Sequence, residues 1–312
     1  MTANVFFAAG ADLWAEYRPP LTRALASAGV PARLADRAPD PAAVDYIVFS
    51  PAGVVSDFTP FTRCKAVLNL WAGVEKLVPN PTLTQPLARM VIPGLTESMV
   101  EYVTAHVLRH HLGLDRFILN PGHLWAPDPT PPNARDRRVT ILGMGELGTA
   151  CATALASLKF GVTGWSRSPR SLPGVRCLSG TDRLAEALSC AEILVLLLPL
   201  TADTENLLNA ARLSLLPPGA ALINAGRGAL VDDAALLGAL DSGRLGHATL
   251  DVFRQEPLPP GHPFWSHPGV TVTPHIAAQT PVEEAARAIA ENVRRGEAGE
   301  PFLHLVNREC GY

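Results

Sequence analysis

The sequence predicts an α/β protein whose larger part is a doubly wound parallel sheet, on three observations. From about residue 138 onward, short apolar runs of strand length alternate with helical patterns, which is the βαβ rhythm of a parallel sheet. One of these runs, Val139-Thr140-Ile141-Leu142, passes directly into Gly143-Met144-Gly145-Glu146-Leu147-Gly148 and so into a helix. Three later runs each deliver a polar residue just beyond their ends, Arg227, Glu256 and His275. Ligands of an open α/β sheet bind at those carboxyl ends.

The first hundred residues also alternate. Val5–Ala8 and Tyr46–Phe49 read as strands, and Trp14–Ala28 as a helix with apolar residues at helical spacing. Ala66-Val67-Leu68-Asn69-Leu70 is a further strand, ending in the turn Trp71-Ala72-Gly73. A long helix is expected from Glu97 to Ile118, with Val100, Val103, Val107 and Leu108 on one face. The proline-dense segment that follows (Pro121, Pro127, Pro129, Pro131, Pro132) must be loop. Strands are expected at 138–143, 162–166, 192–198, 220–224, 247–252 and 270–273, with helices between most of them. A last helix starts at Thr280-Pro281-Val282-Glu283, read as a capping box with proline at the first position, and stops at Gly296.

At 312 residues, 47% hydrophobic and 18% charged, the chain has room for two domains with separate cores. A net charge of −3 offers no general attraction to nucleic acid or anionic membranes. Cys64, Cys151, Cys177, Cys190 and Cys310 form an odd, scattered set without a CxxC pair, which suits reduced thiols in the cytoplasm. The N-terminus lacks a basic leader, and no apolar run approaches the roughly 18 residues of a membrane span. The expectation is a soluble, cytoplasmic protein.

The glycine turn suits a dinucleotide. Gly143 makes the tight turn, Gly145 lets the backbone approach a pyrophosphate, and Gly148 lets helix and strand pack closely, with Glu146 and Leu147 between them. About 20 residues on, such folds usually offer an acid to the adenosine ribose. Here Val162-Thr163-Gly164-Trp165 runs instead into Ser166-Arg167-Ser168-Pro169-Arg170. An arginine suits a 2′-phosphate that a carboxylate would repel, so NADPH is expected in preference to NADH. Leu198, Pro199, Leu200, Thr204, Ala225, Gly226 and Ala277, beyond the later strand ends, complete the expected cofactor contacts, with Asp251 read as a cofactor-side hydrogen-bonding residue.

The polar strand ends suggest the reaction. Arg227 can give charge-assisted, bidentate hydrogen bonds to a substrate carboxylate and keto oxygen. His275 titrates near working pH and can deliver a proton. Glu256, if paired with His275, orients the ring and favours imidazolium. His106 and His110 share a helix face at metal-binding spacing, but no third ligand is evident, so no metal is expected. Gly164-Trp165-Ser166-Arg167-Ser168 lacks the last glycine of a hydrolase nucleophile elbow.

Taken together, these motifs resemble the D-isomer-specific 2-hydroxyacid dehydrogenase family. The cues are Trp165-Ser166-Arg167-Ser168, Asp251-Val252-Phe253, Gln255-Glu256-Pro257-Leu258-Pro259, Trp265 with His267-Pro268, Pro274-His275-Ile276-Ala277-Ala278 and the terminal Gly311-Tyr312. They resemble most the members that reduce glyoxylate to glycolate and hydroxypyruvate to D-glycerate. The resemblance implies catalytic Arg227, Glu256 and His275, and two Rossmann-like domains. One is a smaller flavodoxin-like substrate domain over 1–98 plus 284–312, the other an NAD(P)-binding domain over 99–283. It also implies that Leu70, Trp71, Ala72 and Gly73 offer backbone N–H groups to the substrate carboxylate, beside Arg227 and His275, and that the protein is a homodimer. Trp71 stands where relatives often have glycine, Glu75 where aspartate is usual, and Arg254 adds a second cation between Asp251 and Glu256. Two alternatives stay open: another dehydrogenase of the family, such as one acting on phosphoglycerate, and a non-catalytic NAD(P)-sensing binding protein.

Overall fold

In a computed structural model of the chain, all residues are described except Met1, Ala52, Leu119, Asn120, Pro121, Leu124, 126–129, Cys310 and Tyr312. Three of the prolines in the expected loop, Pro121, Pro127 and Pro129, lie outside the described residues, as do Cys310 and Tyr312. The chain divides into two units, residues 1–95 with 279–312, and residues 96–278.

The first unit holds β1 (Ala3–Ala8), α1 (Ala11–Ser27), β2 (Ala32–Ala35), β3 (Tyr46–Phe49), β4 (Ala66–Asn69) and β5 (Leu87–Ala88). All neighbours pair in parallel in the order β2-β1-β3-β4-β5, the flavodoxin-like arrangement. β3 and β4 are buried along their whole length, because parallel strands are covered on both faces. Helix α2 (Pro93–Leu112) starts at the boundary and belongs to the second unit from Thr96 onward, as does the short α3 (Asp115–Ile118).

That unit contains β6 (Arg138–Leu142), α4 (Glu146–Ser157), β7 (Gly161–Ser166), β8 (Arg176–Ser179), α5 (Leu184–Ser189), β9 (Ile193–Leu196), α6 (Ala210–Leu213), β10 (Ala220–Asn224), α7 (Asp233–Asp241), β11 (Leu245–Leu250) and β12 (Val270–Val272). Its seven parallel strands run β12-β11-β10-β9-β6-β7-β8, which is the doubly wound dinucleotide-binding order with one strand added. The order reverses between β6 and β9, and the glycine turn leaves the carboxyl end of β6 at that switch point. One face of the sheet packs Val139, Ile141 and Val195 against Met99, Val103 and Val107 of α2 and Cys151 and Leu155 of α4. The other packs Leu142, Leu194, Leu196 and Leu222 with Leu188, Leu236 and Leu240. Helix α8 (Val282–Ala298) belongs to the first unit and lies against α1.

Two helices end differently from the sequence reading. The helix expected over Glu97–Ile118 stops at Leu112, because Gly113 takes the left-handed conformation (φ 62). The Gly113 amide donates to His110 O and the Leu114 amide to Arg109 O, which closes a Schellman cap before α3 begins. In α8 no capping box forms: Pro281 is the N-cap without a side-chain bond, and Glu283 pairs with Arg23 at 2.5 Å. The helix also continues through Gly296 to Gly299, whose φ of 70 ends it. Gly296 is glycine for packing, since a methyl there would lie 2.3 Å from the Tyr46 hydroxyl. The short strands β2, β5 and β8 carry too little apolar pattern to be read from sequence.

Candidate active site

The glycine turn has three glycines held for three different reasons. Gly143 sits at φ 108, and a methyl on it would lie 2.6 Å from Leu197 O. A methyl on Gly148 would lie 1.8 Å from Gly143 O, so helix α4 can approach its strand only without a side chain there. A methyl on Gly145 would meet nothing within 4 Å. Gly145 is also the N-cap of α4 and makes no side-chain cap bond, leaving the positive end of the helix dipole exposed beside open space. Glu146 is exposed and Leu147 half-buried there. This cradle fits a pyrophosphate.

At the end of β7, Trp165 is buried and its indole N–H donates to Gly180 O at 2.9 Å. The Ser166 hydroxyl donates to Ser168 O at 2.7 Å and rounds the turn, leaving Arg167, Ser168 and Arg170 exposed. No acid occupies the turn, and two guanidinium groups do, which fits a phosphorylated ribose. After β9, Leu198 is buried and Pro199 and Leu200 are half-buried. The Thr204 hydroxyl donates to Pro199 O at 2.8 Å and accepts from the Thr201 amide at 2.8 Å, so Thr204 shapes that turn.

Beyond β10, buried Asn224 clamps the next turn. Its side-chain oxygen accepts from the Gly226 amide at 3.1 Å, and its side-chain nitrogen donates to Arg227 O at 3.0 Å. Ala225 and Gly226 are buried in it. Gly228 lies so close to the next loop that a methyl would fall 2.0 Å from the Phe253 carbonyl carbon. That contact brings the Arg227 turn alongside the segment carrying Glu256. The Arg227 guanidinium donates to Gly226 O at 2.6 Å, and its charge acts on both Glu256 and His275.

Glu256 and His275 form the pair that the sequence suggested. Glu256 Oε2 meets His275 Nδ1 at 2.8 Å, and its other oxygen accepts from the Phe253 amide at 2.8 Å. The hydrogen bond to Glu256 leads the influences that raise the His275 pKa, and together with the Glu256 charge it outweighs burial and the Arg227 charge. For Glu256 burial is the largest influence and acts upward, but the bonds from His275 and Phe253 and the charges of His275 and Arg227 prevail, so its pKa is lowered. His275 keeps half of its side chain exposed, at 52%. A ring fixed at Nδ1 with its other nitrogen accessible is arranged to give a proton from Nε2.

Three residues have partners that the sequence does not announce. Asp251 is 1% exposed, and its carboxylate is engaged within the protein. It accepts from the Ile276 amide (2.8 Å), the Ala277 amide (2.9 Å) and the Thr273 hydroxyl (2.7 Å), while its carbonyl accepts from the His275 amide at 2.9 Å. Asp251 is thus the brace of the His275 loop, and the amide of Ala277 is held by it. The Arg254 guanidinium is engaged by other loops. It donates to Val231 O at 2.7 Å and to Asn206, and lies 3.7 Å from Asp233, so it ties loops together. Leu70 donates its amide to Phe49 O at 2.8 Å, so that N–H serves the sheet of the first unit.

In that first unit, Trp71 is 44% exposed, and Asn69 sets the turn around it. The Asn69 side-chain amide donates to Trp71 O at 2.8 Å and Gly73 O at 2.9 Å. Asn69, Asn224 and Thr273 carry no motif in the sequence, where their only signal is a polar residue at the end of an apolar strand. His106 and His110 do not converge on a metal site: His110 bonds Thr249 at 2.9 Å, and no group of three possible ligands occurs among the described residues. No helix among the described residues is long and apolar enough to cross a membrane.

Comparison with known proteins gives a consistent picture. The family model described as D-isomer specific 2-hydroxyacid dehydrogenase, NAD binding domain, matches residues 104–277. Glyoxylate/hydroxypyruvate reductase A from Serratia proteamaculans (strain 568) is 40% identical over 259 residues, 80% of this chain and 82% of that protein. A D-isomer specific 2-hydroxyacid dehydrogenase from Xanthobacter autotrophicus Py2, solved in complex with NADPH and MES, is 40% identical with a TM-score of 0.92, all of both chains being covered. An NADPH-dependent glyoxylate/hydroxypyruvate reductase from Sinorhizobium meliloti, solved with NADP and sulfate, is 36% identical with a TM-score of 0.88, covering 99% of this chain and all of that one. A seven-stranded dinucleotide sheet with Arg227, Glu256 and His275 beyond its strand ends, and relatives of this length and likeness, lead to one conclusion: the chain belongs to the D-isomer specific 2-hydroxyacid dehydrogenase family.

Proposed function

We propose that the protein is an NADPH-preferring reductase of small 2-keto acids, taking glyoxylate to glycolate and hydroxypyruvate to D-glycerate. The observation that carries this reading is the Glu256–His275 pair at 2.8 Å within reach of the Arg227 charge. The glyoxylate/hydroxypyruvate reductases among the relatives support the substrates. The exposed Arg167 and Arg170, with no acid in their turn, support the phosphorylated cofactor.

In this reading the second unit holds the cofactor and the first serves the substrate. The Gly145–Leu147 amides hold the pyrophosphate and the Ser166–Arg170 turn the 2′-phosphate, with Leu198–Leu200, Ala225 and Gly226 lining the nicotinamide side. When bound, the reduced nicotinamide supplies a hydride to C2 of the keto acid. Arg227 binds the carboxylate and polarises the ketone through charge-assisted bonds. His275 holds a proton at Nε2 and gives it to the carbonyl oxygen as that oxygen gains charge. Glu256 fixes the ring through Nδ1 and stabilises the imidazolium that donates. The Trp71–Gly73 turn contributes backbone amides to the carboxylate, with the Trp71 and Gly73 carbonyls drawn off by Asn69. The protein works in the cytoplasm as a homodimer.

Steady-state turnover of glyoxylate and hydroxypyruvate with NADPH and with NADH tests the proposal. The expected result is turnover of both acids with kcat/KM favouring NADPH. Tight NADPH binding without turnover of any 2-keto acid would instead identify a sensing protein.

A further inference from the structure

The His275 loop is held by Asp251, and Asp251 is itself approached from helix α2. The Thr273 hydroxyl lies 2.7 Å from Asp251 Oδ1 and 2.7 Å from the Tyr102 hydroxyl. These distances fix the direction of the protons. A carboxylate can only accept, so the single Thr273 proton goes to Asp251. Tyr102 must then donate to Thr273, and its proton is the outermost of a one-way relay from Tyr102 through Thr273 to Asp251. Burial is the largest influence raising the Tyr102 pKa, so the phenol keeps that proton across the working range. Asp251 passes the constraint on. It holds the Ile276 and Ala277 amides through its carboxylate and the His275 amide through its carbonyl. His275 sits at φ 54, a left-handed conformation that a non-glycine residue keeps only when its surroundings hold it there.

We propose that Tyr102 is a positioning residue of the reaction, setting His275 against Glu256 through the relay to Thr273 and Asp251. The inference rests on the reading of His275 as the proton donor. The charged and titratable groups facing this network are few. Glu256, Arg227 and Asp251 act on His275. Tyr102 and His106 on α2 feel Asp251, and Arg109 acts on both of them. Chains of this kind strengthen each bond in turn, so loss of the outer donor weakens the inner ones. A loosened loop lengthens the His275–Glu256 bond, which is the leading cause of the raised His275 pKa. The predicted signature is therefore a lower His275 pKa together with slower turnover.

The test uses the full chain carrying Tyr102→Phe, Thr273→Val, both together, and Thr273→Ser. Proton NMR titration of His275 in the cofactor-free protein, assigned with His275→Asn, reads the position of the ring without any turnover. Tyr102→Phe and Thr273→Val should each lower the His275 pKa and cut kcat for glyoxylate about 5-fold, roughly one hydrogen bond's worth. The keto-acid KM should stay within about 2-fold, which separates positioning from substrate binding. The double variant should be no worse than Thr273→Val alone, because that substitution already removes both bonds of the relay. Thr273→Ser restores the hydroxyl and should restore both readouts, which guards against loss of fold in the other variants. An unmoved His275 titration in Tyr102→Phe, or single effects that multiply, would overturn the proposal. A moved titration with undiminished turnover would leave the relay standing and sink His275 as proton donor.

Discussion

Replacing the second and third glycines of the turn by alanine separates folding from cofactor binding. At Gly145 the backbone is extended (φ −79, ψ −161), a conformation alanine adopts, and the new methyl meets nothing within 4 Å. Stability should change by about 1 kcal/mol at most, the difference between glycine and alanine at an N-cap. That open space is where the pyrophosphate would approach, so the methyl pushes it off the α4 amides. Losing one charge-assisted bond of about 1.5–3 kcal/mol weakens binding roughly 10- to 100-fold. At Gly148 the methyl would lie 1.8 Å from Gly143 O, a clash with backbone that cannot rotate away. Overpacking of that kind costs about 3 kcal/mol, or roughly 5–10 °C in Tm. NADPH fluorescence titration and thermal melts of Gly145→Ala and Gly148→Ala read the two effects. Gly145→Ala should keep its Tm and lose affinity, and Gly148→Ala should lose Tm. A Gly145→Ala protein binding NADPH within about 2-fold of the parent would refute the assignment of that cradle.

Cofactor choice and acid stability give two more tests. Arg167→Ala should lower kcat/KM for NADPH about 10-fold while leaving NADH nearly unchanged, because the lost charge-assisted bond serves only the 2′-phosphate; equal losses with both cofactors would contradict it. His110 is half-buried, and desolvation leads the influences that push its pKa down to about 3. A group with a depressed histidine pKa stays neutral when folded but takes a proton when unfolded, so stability falls as pH drops below the unfolded value of 6.5. Between pH 7 and pH 5 this one group costs about 2 kcal/mol. His110→Gln, which can still bond Thr249, should lose that much less stability over the interval in urea denaturation; an identical loss would show that His110 does not titrate in this way.

The glycine turn was legible because its demands are local. A positive φ at Gly143 and a close approach at Gly148 can be met only by glycine, so residue type reports geometry directly. The polar strand ends were legible for a related reason, since in a parallel sheet the carboxyl ends of the strands share one edge. What could not be read depends on contacts distant in sequence. Tyr102 and Thr273 are 171 residues apart, and nothing in a helix tyrosine or a strand threonine announces the other. Asp251 reads from sequence as a cofactor-side hydrogen-bonding residue, and its second task as the brace of the His275 loop rests on three carboxylate bonds to Thr273, Ile276 and Ala277 that no local pattern announces. Arg254 reads from sequence as a second cation between Asp251 and Glu256, and only the structure shows that Val231 and Asn206 claim its guanidinium. Helix ends failed where a glycine had two meanings. Gly113 is a stop set by its backbone, and Gly296 is a mid-helix gap that lets the Tyr46 ring approach.

The central claim is that His275, held and charged by Glu256, delivers the proton during reduction. His275 has its pKa raised by the bond to Glu256, so the donating form is present below that raised value and disappears as pH climbs through it. Reductive kcat/KM for glyoxylate should therefore fall on the alkaline side. Glu256→Gln removes the carboxylate charge and weakens the hydrogen bond that leads the causes of the raised pKa. The most direct measurement is the pH profile of reductive kcat/KM for the parent protein and for Glu256→Gln. The alkaline limb of Glu256→Gln should move to lower pH; a limb that stays in place would contradict the role of the Glu256–His275 pair.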